Sequence, residues 1–229
     1  MKSVFTSIKT ITFPLKVNST IYLRPFNISD AEQLYSVVDC NREYLSKFLP
    51  WVQFNKSIEN SIDFIIKEEE KYMNKSITLG IFFEDYIIGS ISLNKLDIES
   101  KTSHIGYWIT EKMGSKGITT LCCKTLIDAC SQILGIEKFY ISCDLKNIPS
   151  QRIAQKLLFT QISSDSEENN LYELCLYNKE VIDSVELPFK ISSSSEQIDG
   201  GQLGYGNIMG NVLDEEDAEN GSNVKIDDV

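Results

Sequence analysis

Two periods of hydrophobicity divide this chain. Alternation of apolar with other residues, rich in β-branched and aromatic types, predicts strands over 20–26, 78–83, 86–93, 103–110, 138–143 and 171–177. Spacing of the i, i+3, i+4, i+7 kind predicts helices between them. One follows the candidate N-cap Ser29 or Asp30 and carries Ala31, Leu34, Tyr35 and Val38 on one face. A second, aromatic-rich helix over 41–52 should stop or bend at Pro50. A third spans 58–74, with Ile58, Ile62, Ile65 and Ile66 inward, and its charged run from Lys67 to Lys71 reads as a solvated face. A long helix over 118–134 buries Ile118, Leu121, Cys122, Thr125, Leu126, Ala129, Cys130 and Ile133, and Gly135 caps it. A short one runs from Gln151 to Leu158, with Pro149 near its first turn. Glu84 and Asp85 make a two-residue hairpin turn without the favoured glycine.

One stretch carries more chemistry than the rest. The strand His104-Ile105-Gly106-Tyr107-Trp108-Ile109-Thr110 is followed by a short loop with Gly114 and Gly117, and then by the long helix. A strand, a glycine-containing loop and a helix N-terminus together offer unpaired N–H groups and a positive dipole end to an anion. Phosphate is the expected anion.

Composition changes this picture in three places. The net charge of −11 is concentrated at one end, because residues 183–229 hold eleven Asp and Glu against Lys190 and Lys225, which leaves −2 for residues 1–182. A basic nucleic-acid face is therefore disfavoured. Half of the twelve glycines, a run of four serines at 192–195 and an acidic cluster at 214–217 fall in the same segment. The expected organisation is a short extension over 1–14, a folded domain over 15–182 and an acidic low-complexity tail over 183–229, disordered at least from 190. Such a tail is read as solubilising, with partner binding as the alternative. No apolar run approaches the ~20 residues of a membrane helix, and the start of the chain does not resemble a signal peptide. Six cysteines without a CxxC pair, and one histidine, argue for reduced, mostly buried thiols in a cytoplasmic protein and against a metal site.

The element order is strand, two or three helices, three antiparallel strands, helix, strand, helix, strand. With it come Leu23-Arg24-Pro25 and Asp30-Ala31, Asn41 to Leu45 with Leu49-Pro50-Trp51-Val52, Ile105-Gly106-Tyr107-Trp108, Lys116-Gly117-Ile118, and Asn147-x-x-Ser150 running to Leu157-Leu158-Phe159. Over about residues 15–180 these resemble the GCN5-related N-acetyltransferase (GNAT) superfamily, and within it the ribosomal-protein N-terminal acetyltransferases. The resemblance implies an α/β GNAT fold, a mixed and largely antiparallel twisted sheet flanked by helices. It implies acetyl-CoA as co-substrate, no metal, and a primary amine as acceptor, in particular a protein N-terminus. A small amine (a polyamine or aminoglycoside) is the alternative acceptor. A non-catalytic acyl-CoA-binding module is the alternative of another class. No membrane partner is implied, and the protein is expected as a monomer or homodimer.

The resemblance also assigns roles. Acetyl-CoA lies in a V between strands 104–110 and 138–143. Its pyrophosphate sits on backbone N–H groups of Gly114, Ser115, Lys116, Gly117, Ile118 and Thr119. Its thioester meets Ile109 and Thr110, where a strand bulge is expected to free an N–H. His104 stands where relatives often carry a Glu base, and with a reference pKa of ~6.5 a histidine can accept a proton at neutral pH. Asn147 and Ser150 match the Asn-x-x-Ser motif, which puts Ser150 near the coenzyme sulfur. The reading of Ser150 from the sequence alone is as N-cap of the helix at Gln151. Asn41 and Trp51 fall on the acceptor side. The chain departs from the family pattern in four places. The Gln or Arg that opens the pyrophosphate loop is missing, with Gly114 expected as a flexible entry. Ser115 replaces a common Gly, Ala154 occupies the position of the frequent tyrosine acid, and Leu158 replaces the Gly of Leu-Gly-Phe, expected as a packing change.

Overall fold

The computed structural model describes residues 11–72, 76–166 and 169–176. The acidic tail and the start of the extension lie outside the described residues. Eight strands form one sheet: β1 (Leu15–Lys16), β2 (Ile21–Arg24), β3 (Ile77–Phe83), β4 (Tyr86–Asp97), β5 (Thr102–Ile109), β6 (Lys138–Asp144), β7 (Thr160–Ser166) and β8 (Asn169–Cys175). Their order is β1-β2-β3-β4-β5-β6-β8-β7, and every neighbouring pair is antiparallel except β5 with β6. A parallel pair needs a crossover. Here it is the 17-residue helix α4 (Ile118–Leu134), with α1 (Ala31–Cys40), α2 (Arg42–Leu45), α3 (Ile58–Tyr72) and α5 (Ile148–Lys156) completing the helices. β1 and β7 are short or polar edge strands that periodicity does not reveal.

The core follows the alternation. Ile21 and Leu23 of β2, Leu79 and Ile81 of β3 and Ile91 and Leu93 of β4 are all fully buried. The Arg24 guanidinium grips Asp30 through two bonds of 2.7 and 2.9 Å and lies 3.9 Å from the centre of the Phe82 ring. Asp30 also accepts from the Asn27 N–H. Arg24 and Asp30 therefore fasten β2 to the start of α1.

Several expectations are corrected. The 41–52 helix is two pieces: α2 ends at Leu45, and Pro50 opens a separate 3-10 turn, Pro50–Phe54, where its missing N–H is harmless. On α4 the buried face is turned: Cys123 and Ile127 are buried, whereas Ile133 is exposed, because the helix is covered by the sheet and its neighbours on more than one side. The Glu84-Asp85 turn forms, with Glu84 in the left-handed region at φ 53°. The last helix begins at Ile148, so Asn147, not Ser150, is its N-cap, accepting from the Ser150 N–H at 3.2 Å. Leu158 is not a packing change. It sits at φ 62° as the left-handed residue of a Schellman ending, in which Phe159 N–H reaches Ala154 O at 2.9 Å and Leu158 N–H reaches Gln155 O at 3.0 Å.

Candidate active site

β5 and β6 pair only at Thr102↔Lys138, Ser103↔Phe139 and His104↔Tyr140. Both strands continue, β5 to Ile109 and β6 to Asp144, without pairing further. The sheet opens there as a V with its apex at His104 and Tyr140. On its other edge β5 stays in register with β4 up to Gly89↔Ile109, and Thr110 N–H donates to Ile88 O at 2.8 Å. Antiparallel bonding alternates, so the N–H groups of Tyr107 and Ile109 point away from β4 and into the V. The expected bulge at Ile109 is absent. The register shifts lie at Ile81/Phe82 and between Asn94 and Asp97, and the freed N–H groups arise from the splay of β6. Thr110 spends its N–H on the ladder. Its side chain is buried and its Oγ1 has no partner among the described residues.

At the open end of the V, the loop turns into α4. Gly114 is in an ordinary extended conformation (φ −65°), and its N–H reaches Glu111 O at 3.0 Å, so it is not the flexible entry. Ser115 and Gly117 take the left-handed conformations, at φ 62° and 76°. A serine therefore occupies a position that favours glycine, at a cost of about 1 kcal/mol. A Cβ on Gly117 would meet nothing within 4 Å, so the space over it is open. The first N–H groups of α4, from Ile118 and Thr119 onward, lack intrahelical acceptors. They face a small cavity of about 130 Å³ that Arg152 and Lys156 of α5 close from the other side. These two cations were missed from sequence. Their signal was their i, i+4 spacing on the helix that follows Asn147.

Acceptor-side helices brace this loop. Asn41 gives its amide to Val37 O at 2.8 Å and accepts from the Glu111 N–H at 3.0 Å. It is thus a tie between α1 and the loop, outside the cavity predicted for it. A Cβ on Gly114 would lie 3.5 Å from the Tyr44 hydroxyl.

On the sheet face away from α4, a cavity of about 600 Å³ opens between the strands and α3. Its floor is small and polar: Thr78, Ser90, Ser92, Asn94 and Gly106. Trp51 joins its wall as expected, 6.1 Å from Trp108, and Phe54 at its lip is 70% exposed. The charged run of α3 is not merely solvated. Asp63, Lys67, Glu68 and Lys71 line the cavity, and Glu68, with only 14% of its side chain exposed, takes a hydrogen bond from Thr78 and pairs with Lys71 at 2.6 Å. His104 borders the floor without lining it: it pairs with Asn94 across the sheet, and its ring lies 5.1 Å from that of Tyr140 at the apex.

Behind the V, Ser150 is buried in the first turn of α5, and its Oγ lies 2.9 Å from the Tyr107 hydroxyl. Burial pushes the Tyr107 phenol well above its usual range. Burial likewise pushes the Cys122 and Cys130 thiols up to about 12, which fits thiols that pack rather than react. Among the described residues no cluster of His, Cys, Asp and Glu could hold a metal ion.

Comparison with known proteins supports this geometry. The sequence matches the acetyltransferase (GNAT) domain family over residues 20–160, well over half of the chain. It is 28% identical over 148 residues to the ribosomal-protein-serine acetyltransferase of Escherichia coli (strain K12), covering 63% of this chain and 81% of that protein. It is 28% identical over 151 residues to a protein of Bacillus subtilis (strain 168) named as a ribosomal N-acetyltransferase, YdaF, covering 65% and 82%. Among solved structures, the microcin C7 self-immunity acetyltransferase MccE, in complex with acetyl-CoA and AMP, superposes with a TM-score of 0.67 at 29% identity, over 70% of this chain and 94% of that one. The RimL acetyltransferase with coenzyme A gives a TM-score of 0.68 over 71% and 98%, and at 23% identity it speaks to the fold. By family match, sheet topology and the V between β5 and β6, the chain belongs to the GNAT acetyltransferase family and takes acetyl-CoA as its acyl donor.

Proposed function

We propose that the acceptor is the α-amino group of a protein N-terminus, of the ribosomal-protein kind. The observation that carries this reading is the cavity of about 600 Å³ with its apolar lip. Trp51 and the exposed Phe54 continue the cavity wall onto the surface, where the residues after the first would lie. The names of the two curated relatives point the same way. Asp63 favours a cationic amine and Lys67 an acidic side chain of the acceptor, whereas Glu68 and Lys71 are paired with each other.

In this reading the pyrophosphate rests on the N–H groups at the start of α4, with Arg152 and Lys156 supplying the positive charge that the missing loop Gln or Arg does not. The pantetheine arm runs back along β5 and pairs with the N–H of Ile109. Its length carries the thioester past Ile109 toward the apex, so Tyr107 N–H is the better placed donor to the carbonyl. His104, at that apex with its side chain on the acceptor face, takes the proton that the ammonium must lose before it attacks. Ser150 donates a hydrogen bond to the sulfur as the thiolate leaves. A cytoplasmic location fits the free thiols, Cys40 and Cys175 being exposed.

A second reading, a small amine acceptor, draws on the 29% identity to the MccE acetyltransferase, whose structure holds AMP beside acetyl-CoA. The test incubates the full chain with acetyl-CoA and a panel of unblocked N-terminal peptides, polyamines and aminoglycosides, and locates the acetyl group by mass spectrometry. Peptides acetylated at the α-amine with the highest kcat/KM are the expected result. Turnover confined to small amines would overturn the protein-acceptor reading.

A further inference from the structure

We infer that Tyr107 is a positioning residue for the departure of the coenzyme sulfur, holding the Ser150 hydroxyl so that its proton faces the V. The inference rests on the reading above in one respect, that Ser150 acts on the sulfur. Three observations carry it. First, the two oxygens are 2.9 Å apart, a normal hydrogen bond between a strand and a helix that lie 43 residues apart in sequence. Second, Ser150 is anchored from below: its N–H is held by the Asn147 side chain, so rotation about its Cα–Cβ bond is its main remaining freedom. Third, Tyr107 belongs to β5 at a point where its own backbone N–H faces the V, so one residue contributes both to the wall of the opening and to the hold on Ser150.

Either oxygen of this pair can donate, and the Ser150 carbonyl oxygen, 3.4 Å from the Tyr107 hydroxyl, is a second acceptor for the phenol. In the proposed arrangement the phenol donates to Oγ. When Tyr107 donates to Ser150 Oγ, the serine's single proton must point elsewhere. The Cys143 thiol of β6 is one acceptor in reach, and in the proposed arrangement the coenzyme sulfur in the V takes its place. Ala154, one turn further along α5, is fully buried and without a hydroxyl. The strand thus brings a tyrosine hydroxyl into the same neighbourhood from the opposite side.

The reaction step balances without consuming either hydroxyl. The amine nitrogen bonds to the acetyl carbon, the C–S bond breaks with its electron pair on sulfur, and the proton lost by the amine ends on the thiolate by way of base and water. Ser150 keeps its own proton and lends a hydrogen bond to the growing negative charge. Tyr107 touches Ser150, not the sulfur.

The test is a double-mutant cycle on the full chain with Tyr107→Phe, Ser150→Ala and the pair, read as kcat and KM for acetyl-CoA with the best amine of the panel. Tyr107→Phe keeps the ring and its packing and removes only the hydroxyl. The expected result is a kcat lowered about three- to tenfold, an unchanged KM for acetyl-CoA, and a double variant no slower than Ser150→Ala alone. An unchanged KM shows that the coenzyme site is still folded. A Tyr107→Phe variant as fast as the wild type, or losses that multiply in the double variant, would overturn the role of Tyr107. A Ser150→Ala variant with full kcat would instead overturn the reading of Ser150, and the inference with it.

Discussion

The two halves of the active site are built from different materials. In the proposed reading the coenzyme half is mostly backbone: N–H groups of β5, the loop at 114–117 and the first turn of α4, all within one continuous stretch. The acceptor half is side chains gathered from Phe26 to Trp108, by way of α1, the 3-10 turn, α3 and three strands. Backbone groups are the same in every residue, so the coenzyme half tolerates substitution as long as its conformation holds. Ser115 at φ 62° illustrates this: the side chain departs from glycine while the left-handed turn persists. The acceptor half has no such protection, because each side chain there is the contact.

That contrast can be strained by substitution. The largest effect belongs to Gly89, which backs onto both halves. A Cβ there would lie 2.3 Å from Trp108 O and 3.0 Å from Ile109 Cα, so Gly89→Ala must push β4 off β5. Chemical denaturation should show a loss of about 3 kcal/mol, and both KM values should rise together. His104→Ala tests the apex. Turnover at neutral pH should fall about a hundredfold and recover as pH rises and the amine deprotonates itself, and a pH–rate profile that keeps its shape would remove His104 from the proton path.

Gly117→Val probes the coenzyme half alone. Space is open over Gly117, so steric clash within the protein is not the issue; the left-handed backbone resists a β-branched residue, and the added atoms enter the ligand's space. We expect KM for acetyl-CoA to rise about tenfold or more while KM for the peptide stays put. Trp51→Ala is its mirror image, with a severalfold rise in peptide KM and none for acetyl-CoA. Equal changes in both KM values, for either variant, would erase the distinction between the halves. The smallest effect is a gain. Leu158→Gly relieves a left-handed leucine that is 47% exposed, and should raise stability by about 1 kcal/mol without touching either KM.

The same contrast explains what was legible. Strands 78–83, 103–110 and 138–143 were placed within a residue or so, because alternation is imposed by a sheet with two different faces. The site loop was legible because glycine, loop and helix start lie side by side in sequence. The tie that Asn41 makes is not legible, since its type and position say nothing of the Glu111 N–H from which it accepts. Glu68 reads as solvated in the sequence, since a charge on a helix gives no sign of the cavity it faces until α3 is laid against β3. Tyr107 was read as part of a strand motif, and its hydroxyl partner lies 43 residues away.

By itself, then, the sequence determined the periodicities, the strand–loop–helix that seats a phosphate, and the residues that mark the family. Only the tertiary structure decided where the sheet opens. The V exists because β6 leaves β5 after His104↔Tyr140, and no residue pattern within either strand marks the point of separation. It also decided the acceptor cavity, because side chains distant in sequence share a wall only after the chain has folded.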